Sequence, residues 1–182
     1  KFVYLQNYSP RESVGRYLDM YRDIALRKYG YEASSDRIGW GAPVYVGETD
    51  EQAVNEARPH IEALFNVLLP KATELMFFPP GYMSPESLTH ILKHKKANSG
   101  GVTIESLMAR GIIVVGSPDT VRKQIMDNHR DMGFQELVTM LTFGTMPAEM
   151  SEANIRRFAR EVMPALKPLT DREYRGFTAA AA

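Results

Sequence analysis

The sequence contains no cysteine, which excludes disulfide bonds, thiolate metal sites and a cysteine nucleophile. It also lacks an excess of either charge. The 22 lysines and arginines balance 22 aspartates and glutamates, so no basic field favours nucleic acid or an anionic membrane. No apolar run approaches the roughly 20 residues that span a bilayer, and the first residues show no signal-peptide pattern. We therefore expect a cytoplasmic protein that binds neither nucleic acid nor a membrane.

The composition that remains is that of a globular domain. Hydrophobic residues make up 44% and charged residues 24% of the 182 residues, which is enough apolar material to bury a core. The chain opens with Lys1, and residues 2–5 already have the pattern of a strand. We expect one domain, residues 1–182, that begins within a larger fold and ends in a loose tail at residues 165–182.

Residues 111–144 contain the most complete structural unit of the sequence. Ser117 predicts a helix N-cap, Pro118 suits the first helical position, and Gly133 predicts a left-handed residue that ends the helix. The apolar run at residues 136–143 then predicts a strand covered on both faces, which is typical of a parallel sheet.

Strands alternate with helices along the whole chain. We predict three strands, at residues 2–6, 44–46 and 136–143. Pro43 and two nearby glycines predict that residues 38–43 are irregular. The alternation predicts an α/β fold with a parallel sheet and right-handed crossovers. A closed barrel of eight such units takes about 250 residues, so this chain corresponds to about three βα units of one.

Each predicted helix has recognisable ends. Ser9 and Thr49 each stand three residues before a Glu or Gln and predict capping boxes. Ser151 predicts the N-cap of the last helix, and Gly30 predicts the end of the first. Pro59 predicts a kink or a break in the second helix.

Residues 69–110, after the second predicted strand, are rich in proline and glycine and predict an insertion. One interpretation is a lid that closes over an active site, because the loop within this segment is apolar and aromatic. The alternative is that these side chains only pack the insertion onto the rest of the domain. The lid candidates are Phe77, Phe78, Tyr82 and Met83.

The histidines do not predict a metal site. His90 and His94 have the i, i+4 spacing that can hold a metal on a helix. However, no acidic residue completes the pattern, and Lys93, Lys95 and Lys96 would repel a cation. We interpret the segment as the basic end of a solvated helix and predict no metal.

Four segments carry a family resemblance. They are residues 44–53 (VYVGETDEQA), 115–121 (VGSPDTV), 133–134 (GF) and 158–164 (FAREVMP). In this order and spacing, over nearly the whole chain, the sequence resembles the bacterial luciferase-like flavin-dependent monooxygenases. Each segment alone is common, whereas the four in order are fairly specific for the family and much less so for its substrate.

The resemblance implies a (β/α)8 barrel of which this chain forms the C-terminal part, strands six to eight. It implies an oxidoreductase that uses reduced flavin mononucleotide (FMN) and oxygen to hydroxylate or oxidise a small organic substrate. A flavin reductase that supplies the reduced flavin and a homodimer are further expectations of the family. Most flavin contacts in the family come from earlier strands, so we assign no catalytic or cofactor-binding residue here.

Candidate residues for the substrate pocket follow from strand position, because barrel active sites form at the carboxyl ends of strands. The alternative is that these residues only form loops or cap helices. Flavin chemistry asks little of side chains, so the lack of a nucleophile–base pair does not count against an enzyme. The candidates are Gln6, Asn7, Tyr8, Glu48, Phe143 and Thr145.

Two alternative functions remain open at this point. One is a relative that uses a deazaflavin for hydride transfer without oxygen. The other is a non-catalytic flavoprotein-like fragment that acts only by packing or as an interaction partner for further strands.

Overall fold

The computed structural model describes residues 3–70, 84–86, 89 and 101–169. The lid candidates Phe77, Phe78, Tyr82 and Met83 and the histidines His90 and His94 lie outside these ranges. The elements in chain order are β1 Tyr4–Asn7, α1 Arg11–Tyr29, a 3-10 turn Ser35–Arg37, β2 Ile38–Val46, α2 Asp50–Ala63, a π-helical turn Leu64–Leu68, α3 Ile104–Ala109, β3 Val114–Gly116, α4 Pro118–Met132, β4 Glu136–Met140, α5 Ala148–Arg157, a second π-helical turn Phe158–Val162 and α6 Met163–Leu166.

The sheet is parallel and is built around β2, which confirms the predicted α/β fold with a parallel sheet. β1, β3 and β4 each pair with β2 in parallel. All nine residues of β2 are buried. The register runs from Tyr4↔Ile38 to Asn7↔Gly41 for β1, from Val44↔Val114 to Val46↔Gly116 for β3, and from Gly39↔Glu136 to Pro43↔Met140 for β4.

The prediction of three strands is wrong, because the described residues contain four. β3 was missed because it has only three residues and lies directly before the helix cap Ser117. The last strand also ends at Met140, three residues before the predicted end.

The predicted irregularity at residues 38–43 is also wrong, because these residues form the first two thirds of β2. Pro43 has no N–H to donate, but it lies after the last residue paired with β1 and before the first paired with β3. The glycines admit the neighbouring strand. A Cβ on Gly39 would lie 2.7 Å from Leu5 Cδ1, and one on Gly41 would lie 3.1 Å from Asn7 Cβ.

Helices cover both faces of the sheet. One cluster of buried side chains joins alternate residues of β2, including Trp40, to α1, α4 and the second π-helical turn. The other cluster joins Tyr45 of β2 and residues of β3 to α2 and α3. In a closed barrel, helices lie only on the outer side of the sheet. Here helices lie on both sides, so the described residues by themselves form a layered parallel sheet.

Several helix ends follow the predictions. The Thr49 side chain accepts a hydrogen bond from the backbone N–H of Gln52, and Ser117 accepts one from Thr120, so both predicted caps are confirmed. Gly30 and Gly133 take left-handed conformations, with φ of 67° and 65°, and end α1 and α4.

Two other predictions about helix caps are wrong, and of the kink or break predicted at Pro59 the break does not occur. The residue before α1 is Pro10, and Ser9 donates its hydroxyl to the carbonyl oxygen of Asn7 instead of capping the helix. Ser151 lies inside α5, which begins at Ala148. Pro59 does not break α2, since it lies on the exposed side of the helix, where water can bind the backbone carbonyl group that it leaves without a partner.

Gly144 and Gly30 form a matched pair for testing the fold. Both have positive φ, but a Cβ on Gly144 would collide with the carbonyl oxygen of His60, whereas a Cβ on Gly30 meets nothing within 4 Å. We expect Gly30→Ala to lower the free energy of unfolding by roughly 1–2 kcal/mol, the cost of the left-handed backbone alone. Gly144→Ala should cost about 3 kcal/mol or more because the overlap adds to that cost. Urea unfolding measures both, and equal losses would contradict the position of Gly144 against α2.

Candidate functional site

The six candidate residues from the sequence do not line one cavity. Gln6, Asn7 and Tyr8 lie at and just after the carboxyl end of β1, and Glu48 follows β2. Phe143 and Thr145 follow β4. Glu48, Phe143 and Thr145 each contact a residue of one cleft, which is described below. Gln6, Asn7 and Tyr8 lie elsewhere.

Tyr8 serves packing in this structure. Its hydroxyl lies 3.2 Å from the sulfur of Met140, and its ring meets the ring of Phe65 edge-on at 5.9 Å between centroids. Burial raises the pKa of Tyr8. Its φ of 51° is unusual for a residue other than glycine, and the surrounding apolar side chains hold it there. The Gln6 side chain donates to its neighbour Tyr4, with 2.5 Å between the amide nitrogen and the hydroxyl oxygen.

A cleft of about 440 Å³ lies beside Tyr45, on the face of the sheet that α2 covers, and we call it the Tyr45 cleft. Residues of β2, α2 and α5 form its walls. They are Tyr45, Gln52, Asn55, Glu56, Pro59, His60, Met150, Ala153 and Arg157.

The floor of the Tyr45 cleft is a short hydrogen-bond network around Glu56. The Tyr45 hydroxyl donates to one carboxylate oxygen at 2.7 Å, and the Gln52 amide donates to the other at 2.8 Å. Burial raises the pKa of Tyr45 far above its ordinary value, and the Glu56 carboxylate raises it further. The phenol therefore stays protonated and acts as a fixed donor to Glu56.

Three of the predicted residues border this cleft by one contact each. Glu48 lies 3.4 Å from the Arg157 guanidinium. The Thr145 hydroxyl lies 2.9 Å from His60 Nδ1. The ring of Phe143 meets the Tyr45 ring edge-on at 6.5 Å.

Tyr45, Glu56 and Arg157 line the cleft but are not among the residues predicted from the sequence. Tyr45 reads as one more apolar strand residue, and Glu56 reads as part of the polar face of α2. Arg157 lies 109 positions from Glu48, so no local pattern joins the two. The only available signal was that Tyr45 is close to the carboxyl end of its strand.

Asn154 on α5 completes the hydrogen bonding of β2 at this end. Its Nδ2 donates to the carbonyl oxygens of Val44 and Leu141, each at 2.9 Å, and its Oδ1 accepts from the N–H of Val46 at 2.9 Å. β4 pairs with β2 only as far as Pro43. The Asn154 side chain thus takes the place of strand residues beyond the end of β4.

Asp50 joins the starts of two helices at the same end of the sheet. One carboxylate oxygen accepts from the backbone N–H of Ser117 at 2.6 Å, and the other accepts from the Thr120 hydroxyl at 2.9 Å. The Ser117 N–H is the main reason that the pKa of Asp50 is lowered. The N-terminus of α4 therefore already has an anionic partner within the chain.

A larger cavity of about 780 Å³ lies where α1 begins, and we call it the α1 cavity. Arg11 is its central cation. The guanidinium pairs with Asp131 at one nitrogen, its Nε is buried without a hydrogen-bond partner, and burial lowers its pKa. The other lining residues are Pro10, Glu12, Ser13, Met108, Ala109, Arg110, Gly111, Ile113, Val114, Gln124, Asp127 and Asn128.

Two searches of the described ranges gave negative results. Within residues 3–70, 84–86, 89 and 101–169, no group of three or more histidine, aspartate or glutamate side chains is placed to hold a metal. No helix in this part of the chain is both long and apolar enough to cross a membrane.

One family model matches most of the chain. The model of the luciferase-like monooxygenase family matches residues 1–136. A comparison with curated proteins gave no match. The fold resembles that of the oxygenating constituent of 3,6-diketocamphane monooxygenase from Pseudomonas putida, a type II Baeyer–Villiger monooxygenase solved with FMN, at a TM-score of 0.60 and 18% identity. It also resembles that of a monooxygenase from Streptomyces bottropensis, at 0.53 and 22%.

The chain is shorter than these structures. Each alignment covers 88% of this chain, but only 42% of the Pseudomonas chain and 40% of the Streptomyces chain. The chain thus spans about two fifths of the proteins that it resembles, and at these identities the likeness establishes a shared fold.

Asn154→Ala tests whether α5 holds the carboxyl end of β2. The change leaves three backbone groups without their partner, two of them buried, at roughly 1–3 kcal/mol for each buried group, so we expect the free energy of unfolding to fall by about 3 kcal/mol or more. Asn55→Ala on the exposed side of α2 is the control and should change it by about 0.5 kcal/mol or less. Similar losses in urea unfolding for the two variants would contradict the proposed role of Asn154.

Asp50 predicts a pH dependence of stability. Its pKa is lower in the folded chain than in the unfolded one, so its contribution is present above the unfolded pKa and is lost as the pH falls through the folded value. We expect stability to drop below about pH 4, and Asp50→Asn to flatten this part of the profile. Glu51→Gln, the adjacent exposed acid, should leave the profile unchanged. An unchanged acid slope in Asp50→Asn would refute the assignment.

Proposed function

We propose that this chain, which belongs to the luciferase-like monooxygenase family, forms part of a flavin-dependent monooxygenase that uses reduced FMN and oxygen to oxidise a small organic substrate. The family match over residues 1–136 is the observation that carries the proposal. We include in it a flavin reductase as the source of reduced flavin, a homodimer and a cytoplasmic location.

In the whole protein we place the described sheet in the C-terminal part of a (β/α)8 barrel, which differs from the sheet of this chain alone, where β4 pairs with β2 instead of β3 and helices cover both faces. Of the described strands, only β2 has partners along both edges. The outer strands expose apolar side chains, with Leu5 43% and Val138 53% accessible, and Val3, just before β1, is 58% accessible. Unpaired strand edges with apolar side chains favour pairing with further strands. The same proposal includes residues 69–110 as an insertion that closes over the site.

The α1 cavity has the properties needed to hold the phosphate end of FMN. Its volume is within the range of cofactor pockets. It lies at the start of a 19-residue helix without a side-chain cap, where backbone N–H groups favour an anion. The buried Nε of Arg11 is a donor in need of an acceptor. The guanidinium of Arg11 fits a phosphate group, whereas the lining as a whole carries two cations, Arg11 and Arg110, and the three carboxylates of Glu12, Asp127 and Asp131.

The reduced flavin, when bound, supplies the electrons that activate oxygen. The side chains of this chain then have two tasks. Arg11 and the start of α1 bind and orient the cofactor. The Tyr45 cleft, with its protonated phenol and its Pro59 and Met150 walls, lies on the opposite face of the sheet and is our candidate for a small-molecule site.

The comparisons bear differently on the two alternative functions, a deazaflavin enzyme and a non-catalytic fragment. The Pseudomonas structure contains FMN, and neither structure described above is described as a deazaflavin enzyme, so the deazaflavin alternative has no support. A non-catalytic fragment stays a second candidate for the isolated chain, because the chain spans only about two fifths of its structural relatives. Oxygen consumption with reduced FMN by the isolated chain and by the longer protein separates the two.

Arg11→Gln tests the cofactor proposal in the protein that carries this chain. Loss of a charge-assisted bond to phosphate should weaken FMN binding roughly tenfold to a hundredfold and leave riboflavin, which has no phosphate, unaffected. Fluorescence quenching of the flavin measures both affinities. Asp131→Asn breaks the same ion pair but keeps the Arg11 donor, and should not weaken FMN binding. Equal effects of the two variants would show that only the ion pair mattered.

A further inference from the structure

Arg157 and Glu56, two charged side chains of the Tyr45 cleft, differ in whether each has a partner of opposite charge. Arg157 has a carboxylate partner in Glu48 and also donates to the carbonyl oxygen of Val46 at 2.9 Å. Glu56 receives hydrogen bonds only from the neutral side chains of Tyr45 and Gln52. Among the described residues, no lysine or arginine forms an ion pair with Glu56. The cleft therefore presents one carboxylate that forms no ion pair with a described residue.

Most of the remaining hydrogen-bonding capacity of this network consists of acceptors, beside the second N–H of the Gln52 amide. A carboxylate has about four acceptor positions, and the two donors use one on each oxygen. The Tyr45 hydroxyl gives its hydrogen to Glu56, so its oxygen can only accept from a ligand. A partner with several N–H donors and a positive charge suits this arrangement, because charge-assisted hydrogen bonds are stronger than neutral ones.

The rest of the cleft suits a short apolar group. Pro59, Met150 and Ala153 contribute wall surface without charge, and the volume of about 440 Å³ admits a small molecule. His60 already binds Thr145 through Nδ1. The cleft therefore combines an anionic acceptor with an apolar wall.

We propose that the Tyr45 cleft binds a small organic cation, a protonated primary amine with a short alkyl group. The ammonium group donates to Glu56 and to the Tyr45 oxygen, and the alkyl group lies against Met150 and Ala153. Only the role of this amine as substrate rests on the proposed monooxygenase function. The preference for a cation rests on Glu56 alone.

The test compares pentylamine with pentan-1-ol, which has the same chain length but no charge at neutral pH. Titrations of the isotope-labelled chain, without flavin, follow the NMR signals of Tyr45, Asn55 and Ala153. We expect the amine to bind about tenfold more tightly than the alcohol, because a charged donor replaces a neutral one. Equal affinities, or amine shifts confined to other parts of the chain, would overturn the proposal.

Glu56→Gln removes the charge and keeps the shape of the side chain. It should abolish the preference for the amine, whereas Glu51→Gln, which removes a charge outside the cleft on the same helix, should retain it. If Glu56→Gln does not fold, a salt series on the unaltered chain decides. Rising ionic strength should weaken the amine and leave the alcohol unchanged, and equal salt responses would refute the role of Glu56.

Failure of this inference and failure of the proposed function are distinguishable. Amine selectivity without FMN binding in the longer protein would leave the cation site standing and remove the monooxygenase function. FMN binding and oxygen consumption without amine selectivity would do the reverse.

Discussion

The structure depends on the complete burial of β2. A buried strand must have its backbone N–H and C=O groups bonded along both edges, since an unpaired group costs a large part of a hydrogen bond. Three parallel strands supply most of these partners. Where β4 ends, the side chains of Asn154 and Arg157 supply the rest, to Val44 and Val46. The last long helix is thus tied to the centre of the sheet.

The need to complete the backbone hydrogen bonding of β2 also positions the residues of the candidate site. Because α5 must reach the carboxyl end of β2, its residue Arg157 lies beside Tyr45 and close to Glu48. α2 begins directly after this end of β2 and brings Glu56 to the Tyr45 hydroxyl. The Tyr45 cleft is therefore a consequence of satisfying the strand, and the residues that complete the backbone bonding also set the charge of the cleft.

The two proposed binding regions differ in chemistry. The α1 cavity offers donors, from the start of a helix and from the buried Nε of Arg11, and so favours an anion. The Tyr45 cleft offers acceptors, from Glu56 and from the Tyr45 oxygen, and so favours a cation. A cofactor that carries phosphate would therefore favour the α1 cavity, and a substrate that carries an amine would favour the Tyr45 cleft.

The sequence by itself determined the features that depend on neighbouring residues. The caps Thr49 and Ser117, the helix ends at Gly30 and Gly133, and the alternation that predicts a parallel sheet all act within a few positions, so the sequence contains them directly. The family resemblance has the same basis, because it consists of such short segments in order.

Only the tertiary structure decided the features that depend on distant partners. The three-residue β3 becomes a strand because Val44 to Val46 offer it an edge, and Pro43 is tolerated because its missing N–H falls between two partners. Burial and the packing of α2 on the sheet brought Glu56 to Tyr45, and packing across 109 positions brought Arg157 to Glu48. No local pattern records which side chain lies opposite another, since that is set by how the helices pack on the sheet.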